Sequence, residues 1–219
     1  MKKKITLIVF ALLAICSFNL SAQEEEKKSP FTVGADFYSN YVWRGSLLGT
    51  GPAFQPSVKF VTGGLTVGVW GSFDAAGYAE ADPYISYAIK GFSLGLTDYY
   101  YPRSGAFAAD SVNVLELNAG YTIGGLSLSA NYIFNKSSVA LSAGKDKYFQ
   151  AAYAFKNVNF TVGAGDGWHT SDGKFAVCNL GIGTGKVIKI TDSFSIPVTG
   201  QVIYNPERNQ MFMVVGFTL

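Results

Sequence analysis

A single histidine, His169, is available for acid–base or nucleophilic chemistry in this 219-residue chain. It lies in residues 166–173, Asp-Gly-Trp-His-Thr-Ser-Asp-Gly, beside the hydroxyl and carboxyl groups that Ser–His and Asp–His hydrolases use. A lone histidine in a glycine-rich loop is usually a solvated loop residue. We therefore predict that the chain is not an enzyme, with no catalytic residues and no metal site in this loop.

A glycine-rich stretch at residues 181–185, Gly-Ile-Gly-Thr-Gly, is the only other segment that suggests a ligand. It falls in the middle of a strand pattern and no helix pattern follows it, as a dinucleotide-binding loop would require. Bending of the strand or close backbone packing explains these glycines. We predict no cofactor.

The remaining chemical groups of interest are polar residues that share one face of the strands described below. Two interpretations stay open: they line a path for small hydrophilic solutes, or they satisfy one another inside a narrow or plugged barrel. We expect Arg44 at the outer rim, Lys59 near the opposite mouth in an ion pair with Asp36, and Glu116 between them. The inward face carries three acidic residues and two basic ones, which predicts that the lumen has a weak preference for cations. The full set is Asp36, Asn40, Arg44, Gln55, Lys59, Trp70, Asp82, Glu116, Asn118, Asn131, Gln150 and Gln201.

Apolar residues recur at every second position over segments of about nine to eleven residues, the pattern of transmembrane β-strands. In Leu65–Phe73 the pattern places Val67 and Val69 on a lipid face and Thr66 and Gly68 on the lumen face. Short turns alternate with longer loops along the chain. The fold class predicted is all-β, a single antiparallel barrel with periplasmic short turns and longer extracellular loops.

We predict twelve strands, with ten as the alternative. They cover roughly residues 31–42, 54–61, 65–73, 81–89, 92–101, 112–123, 126–134, 147–155, 158–165, 175–189, 194–204 and 210–219. Across the first short turn, pairing of Phe60 with Leu65 would set Lys59 opposite Thr66. Asp98 falls on the lipid face, either near the outer rim or turned inward by a bulge.

Aromatic residues stand at both ends of the lipid faces, as a bilayer-spanning barrel requires and a soluble β-sandwich, the alternative fold, does not. Those beside the short turns are Phe60, Phe92, Tyr121, Phe155 and Phe194, and those at the far ends are Tyr41, Phe73, Tyr100, Phe134 and Tyr204. The final strand, 210–219, keeps its alternation to Leu219. Many outer-membrane barrels end in such a strand.

The first 22 residues have the pattern of a secretory signal peptide: three lysines, an apolar stretch and Leu-Ser-Ala before Gln23. Residues 23–30 form a short polar leader, and 31–219 form the barrel domain. Without the signal, 14 basic residues remain against 15 acids, a charge of −1, so no nucleic-acid partner is implied. Cys178 is then the one cysteine left, and an intramolecular disulfide is impossible.

Residues 39–45, Ser-Asn-Tyr-Val-Trp-Arg-Gly, resemble the signature of the TorF-type porins, a family of Gcw_chp-like bacterial β-barrel proteins. Weaker similarity continues at residues 52–56, 68–72 and 100–102 and at Glu116. It covers roughly residues 34–118. The family often has a Gln after the Arg-Gly step; here Ser-Leu-Leu follows, so a role for that Gln does not carry over. The resemblance implies an outer-membrane barrel provisionally called a porin.

These observations predict passive diffusion of small hydrophilic solutes through a narrow polar lumen. The rival interpretation is a non-conducting outer-membrane barrel with a structural or surface-binding role. We expect export to the outer membrane of a Gram-negative bacterium, contact with outer-membrane lipid, and interaction with the barrel-assembly machinery during biogenesis.

Overall fold

The structure, a computed structural model, describes residues 29–107 and 111–219. The predicted signal peptide and nearly all of the predicted leader lie outside the described residues. Twelve antiparallel strands close into one barrel, each strand paired with its neighbours in the sequence and the first paired with the last. The predicted all-β fold and the count of twelve strands are confirmed. A separate two-stranded hairpin lies in the first long connection.

The barrel strands are β1 and β4 to β14, and the small hairpin is formed by β2 and β3. Their bounds are β1 Phe31–Tyr38, β2 Tyr41–Trp43, β3 Ser46–Leu48, β4 Ala53–Thr62, β5 Leu65–Asp74, β6 Ala79–Ile89, β7 Phe92–Tyr100, β8 Asn113–Ile123, β9 Leu126–Ile133, β10 Lys147–Phe155, β11 Val158–Gly165, β12 Ala176–Lys189, β13 Ser195–Asn205 and β14 Gln210–Thr218. The 3-10 turn Gly167–His169 lies between β11 and β12.

Connections of two residues join β4 to β5, β6 to β7, β8 to β9 and β10 to β11, all at the end that we call the short-turn end. The opposite, long-loop end carries the connection from β1 to β4, which contains the hairpin, and the loops after β7, β9 and β11. This asymmetry agrees with the predicted arrangement of short turns and longer loops.

The two faces of each strand differ as the period-two pattern predicts. In β5, Val67 and Val69 are each 43% exposed on the outer face, whereas Ser72 on the inner face is fully buried. Large apolar side chains exposed on the outer face occur on every barrel strand. Such a continuous apolar exterior is far larger than the patches that soluble monomers expose.

Two local predictions, the extent of the first strand and the pairing across the first short turn, differ from the structure. The first strand ends at Tyr38, not at 42, because the chain turns inward there and residues 41–43 form β2. Phe60 pairs with Val67 rather than Leu65, because β4 continues to Thr62 before the two-residue turn. The register is therefore shifted by two residues, and each side chain keeps its predicted face.

Asp98 remains on the outer face near the long-loop end, since β7 pairs with β8 in one continuous register. Its carboxylate accepts a hydrogen bond from Asn113 Nδ2 at 2.8 Å. No bulge turns this residue inward. The bulge that does occur lies between β11 and β12, where Gly163 pairs with Asn179 and Ala164 with Val177, leaving Cys178 unpaired.

The buried core of the molecule lies inside the long-loop half of the barrel. It centres on Tyr99, Val114 and Ile133, with Trp43 and Trp168 packed against them. Tyr41, predicted at the outer aromatic rim, is instead 9% exposed in this interior. Within residues 29–107 and 111–219, no helix is long and apolar enough to cross a membrane.

Candidate functional site

The β2–β3 hairpin folds into the barrel and fills the long-loop half of the lumen. Its two strands are joined by a two-residue turn, Arg44-Gly45, and both residues have positive φ, 50° and 82°. This is the primed turn that suits a tight hairpin. A Cβ on Gly45 would overlap the carbonyl oxygen of Cys178 on the barrel wall, so only glycine fits there.

Contacts on several sides of the wall fix the hairpin in place. The Tyr41 ring lies 5.5 Å from the Trp70 ring on β5, and the Trp43 ring lies 5.5 Å from the Tyr99 ring on β7. On the other side, Asn205 Nδ2 of β13 donates to the Gly45 carbonyl oxygen at 3.1 Å. The hairpin therefore reaches from one side of the lumen to the other.

Arg44, at the tip of the hairpin, forms a buried ion pair with Glu116 of β8. Its Nη1 and Nη2 atoms donate to Oε1 and Oε2 of Glu116 at 2.6 and 2.8 Å. The guanidinium lies between two aromatic rings, 4.4 Å from the centroid of Trp43 and 4.5 Å from that of Tyr148. A two-bonded guanidinium held between ring faces combines charge-assisted hydrogen bonding with cation–π attraction.

The Glu116 carboxylate is held by the wall as well as by Arg44. The Tyr99 hydroxyl donates to Oε2 at 2.8 Å and Asn118 Nδ2 donates to the same atom at 2.6 Å. Asn118 is fixed in turn by Thr97 on β7 and Asn131 on β9, at 2.8 and 3.0 Å. The Glu116 side chain is fully buried and the Arg44 side chain is 12% exposed. We call the Arg44–Glu116 pair the latch, because it joins the hairpin tip to the wall.

Tyr148 extends the polar network along the wall to β10 and β12. Its hydroxyl donates to Gln150 Oε1 at 2.8 Å and accepts from Asn179 Nδ2 at 3.0 Å. Its ring is thereby fixed beneath the Arg44 guanidinium. Tyr99, Asn118 and Tyr148, the wall residues around Arg44 and Glu116, are thus each held by side-chain hydrogen bonds.

The outer loop 166–175 covers the hairpin from the long-loop end. The Trp168 and His169 rings lie 5.0 and 5.3 Å from the Trp43 ring. His169 is 1% exposed, and neither of its ring nitrogens has a hydrogen-bond partner among the described residues. Burial, with a smaller contribution from the Arg44 charge, lowers the pKa of His169 to about 3. The imidazole is therefore a neutral packing group, not the solvated loop residue that we expected.

A pair of carboxylates from β6 lies beside the hairpin, and neither has a basic partner within the part of the chain that the structure describes. Glu80 is 1% exposed and accepts a hydrogen bond from the Tyr78 hydroxyl at 2.6 Å. Asp82 is 4% exposed, and its Oδ1 has no hydrogen-bond partner among the described residues. No cluster of three or more His, Cys, Asp or Glu side chains that could hold a metal ion occurs among those residues.

The predicted lumen residues divide into three groups. Arg44, Glu116, Asn118 and Asn131 come together at the latch. Gln55, Trp70, Asp82 and Gln150 lie around the hairpin; Gln55 Nε2 donates to Ser72 at 3.2 Å. The others are Asp36, Asn40, Lys59 and Gln201, of which Lys59 and Gln201 are exposed to the interior of the short-turn half.

The predicted Asp36–Lys59 ion pair is absent. Asp36 pairs in register with Gln55, and its carboxylate accepts a hydrogen bond from the Thr218 hydroxyl on β14. Lys59 pairs with Thr32, four positions nearer the short-turn end. Arg44, expected at the outer rim, lies inside the lumen instead, because the hairpin turn that carries it points inward.

The aromatic members of the site were not predicted. Trp43, Tyr99, Tyr148 and Trp168 surround Arg44, yet nothing in their local sequence distinguishes them from rim aromatics. The turn offered a signal that the sequence analysis missed: an X-Gly pair between Tyr-Val-Trp and Ser-Leu-Leu marks a short hairpin.

The short-turn half of the lumen is open and lined by small or polar side chains. Inward-facing residues there are exposed on every side of the barrel. Examples are Ser93, Thr122, Ser127, Ala154, Asn159 and Gln201. The lumen is therefore a polar vestibule at the short-turn end and a packed, latched core at the long-loop end.

Among solved structures, the chain is similar to mutants of a porin and of OccD1 (OprD). An engineered Rh. blastica porin mutant matches with a TM-score of 0.45 and 16% identity over 76% of this chain and 55% of that one. A mutant of OccD1 (OprD) matches with a TM-score of 0.34 and 13% identity over 89% of this chain and 67% of that one. The chain thus spans about half the length of the Rh. blastica porin.

No curated protein matches the sequence. The sequence model of one family, described as "Bacterial protein of unknown function (Gcw_chp)", matches residues 24–189. That match includes every strand from β1 to β12, which is most of the described barrel. The chain therefore belongs to the Gcw_chp family.

Proposed function

We propose that this chain is an outer-membrane channel for small hydrophilic solutes, and that the β2–β3 hairpin closes it in the conformation described here. The observation that carries the proposal is the division of the lumen. A polar vestibule runs half the length of the barrel and stops at a separate hairpin, which is held by side-chain contacts to the wall. In a barrel whose interior served only for packing, we would expect larger side chains to fill this vestibule of small and polar groups.

The outer membrane is the location that the exterior supports. The apolar outer face includes Phe92 at 60% exposure beside the short turns and Phe134 at 46% beside the long loops. Such aromatic groups at both ends suit the two interfaces of a bilayer. The short-turn end would face the periplasm, after export by the signal peptide and insertion by the assembly machinery. Outer-membrane lipid would cover the belt between the aromatic groups.

The segment that resembles the TorF-type porins, 39–45, is the one that enters the lumen and carries Arg44 and Gly45. This agrees with a channel whose hairpin is a functional part. The runner-up is a non-conducting barrel with a structural or surface-binding role. The filled long-loop half of the lumen favours that alternative, because no solute passes while the hairpin is in place.

Swelling of proteoliposomes distinguishes the two functions. Tyr38 and Ala53 are register partners on neighbouring strands, so a short Gly/Ser turn can replace residues 40–51 without straining the barrel. We expect liposomes containing this deletion variant to swell rapidly in a small neutral sugar such as arabinose, and wild-type liposomes to swell slowly.

Lys174→Gln serves as the matched control, because it removes an ion pair with Asp172 that is exposed on the outer loop. It should swell like the wild type. If the deletion variant folds, as shown by its altered gel mobility before boiling, yet its liposomes swell no faster than empty ones, the channel proposal fails. The non-conducting barrel would then be the better account.

A further inference from the structure

We propose that the wall pocket that holds Arg44 is a binding site for solutes bearing a guanidinium group, which open the lumen by taking the place of Arg44. We define this pocket by its wall residues: Glu116, Tyr99, Asn118 and Tyr148. The inference rests on the proposed channel function and names the class of solute that the closed channel would recognise.

The pocket keeps its shape without the hairpin, because all four residues belong to barrel strands. Tyr99 and Asn118 both donate to Glu116 Oε2, at 2.8 and 2.6 Å, and so fix the plane of the carboxylate. Arg44 supplies the other two hydrogen bonds to that group. Its departure would leave both oxygens facing the lumen, above the fixed ring of Tyr148.

The pocket requires a cation whenever the hairpin leaves. Glu116 is fully buried and Arg44 is its one ion-pair partner among the described residues. Removing one member of a buried ion pair is strongly unfavourable, because the remaining charge is left without compensation. Withdrawal of the hairpin should therefore be coupled to the arrival of a replacement cation.

The shape of the pocket selects guanidinium among cations. A guanidinium presents two parallel N–H groups to a carboxylate and a flat face to an aromatic ring, and Arg44 uses both. An alkylammonium is a compact point charge that cannot form the paired bonds. Neutral solutes and anions cannot balance the negative charge of the Glu116 carboxylate.

Arg44 acts as a tethered competitor in this scheme. A group that the chain itself holds beside a site has an effective concentration of at least the millimolar range, so a free solute must compete with that concentration to enter the pocket. The wild-type channel should thus stay closed at low solute concentration. Removal of the Arg44 side chain should expose the pocket to weaker or more dilute ligands.

Binding is tested on full-length protein in detergent, with methylguanidinium as ligand and methylammonium as control at equal ionic strength. Arg44→Gly suits the test because the φ of 50° at this position favours glycine. Trp168 lies beside the pocket, so tryptophan fluorescence reports binding. Arg44→Gln is the second variant, in case Arg44→Gly does not fold.

We expect saturable binding of methylguanidinium to the Arg44 variants, at least about tenfold tighter than that of methylammonium. The wild type should need at least about tenfold more ligand than the variants. Adding Glu116→Gln should weaken methylguanidinium binding by about tenfold or more. Equal binding of the two cations, or binding that survives Glu116→Gln, would overturn the assignment.

Conductance separates this inference from the proposed function. In planar bilayers, methylguanidinium should raise the open probability of the wild type more than methylammonium does. If the Arg44 variants bind methylguanidinium but no variant conducts, the site stands and the channel proposal fails. If they conduct but show no preference for methylguanidinium, the channel stands and the guanidinium site is wrong.

Discussion

Glu116→Gln should release the hairpin, because it removes the one negative charge that compensates a buried Arg44. The Arg44 and Glu116 side chains are 12% and 0% exposed, and their two hydrogen bonds measure 2.6 and 2.8 Å. Removing one partner of such a pair typically costs about 3–5 kcal/mol. Arg44→Gln should cost a similar amount, because Glu116 then remains buried with only Tyr99 and Asn118 as donors.

The double variant should be less destabilised than the sum of the two single variants. Two neutral amides can form a hydrogen bond to each other and leave no charge buried. We expect a coupling energy of at least about 2 kcal/mol in a double-mutant cycle, at the upper part of the range seen for contacting residues. Additivity within about 0.5 kcal/mol would show that the two residues do not act as a pair.

Tryptophan fluorescence during urea titration is a suitable assay. All three tryptophans of the chain lie at the hairpin: Trp43 in it, Trp70 against Tyr41, and Trp168 against Trp43. Gel mobility before boiling reports the closed barrel independently. In each single variant, the fluorescence transition should occur at a lower urea concentration than in the wild type. The gel mobility should show that the barrel is still closed at that concentration. Loss of both signals together would mean that the hairpin does not open separately from the barrel.

Three further predictions test other parts of the account. Val162 is 52% exposed on the outer face, so Val162→Arg should cost roughly 2–4 kcal/mol of stability near the bilayer midplane. Thr161→Arg, on the inner face, should be tolerated. Equal effects of the two substitutions in urea unfolding would contradict the assigned faces. Burial lowers the pKa of His169 to about 3, so neutral His169 stabilises the hairpin fully above pH 6.5. Below pH 6.5 the stability of the hairpin should decline by up to about 1.4 kcal/mol per pH unit. His169→Phe should abolish that decline in the fluorescence assay. Asp98→Asn removes a carboxylate from the outer face and keeps a hydrogen-bond acceptor for Asn113. The stability of the barrel in a bilayer should therefore stay unchanged or rise by at most about 1 kcal/mol. A clear loss of stability in urea unfolding would mean that the charge of Asp98 itself is needed.

The strands and their faces could be predicted because lipid and lumen impose opposite requirements on alternate residues. Val67 and Ser72 show this contrast within one strand, and the error at Phe60 moved the register by two, which preserves faces. The hairpin was not predicted, because Tyr41-Val42-Trp43 continues the period-two pattern of the first strand. Period two does not tell whether a strand continues in the wall or turns into the lumen.

Members of the site were predicted individually but not as a cluster. Arg44, Glu116 and Asn118 each fall on a lumen face, yet Arg44 and Glu116 are 72 positions apart and meet only because the hairpin turns inward. The aromatic residues around Arg44 have no local signal, since barrels carry aromatic groups at their rims in any case. Curvature of the wall brings residues of the nearby strands β7, β8 and β10 around one guanidinium.

Single-channel recording in planar bilayers tests the central claim most directly, that a latched hairpin closes a polar channel. The wild type should be closed for most of the recording, and Glu116→Gln should open with a conductance equal to that of the variant lacking residues 40–51. Lys174→Gln should behave as the wild type. A wild type that conducts as freely as the deletion variant, or a folded deletion variant that never opens, would contradict the account.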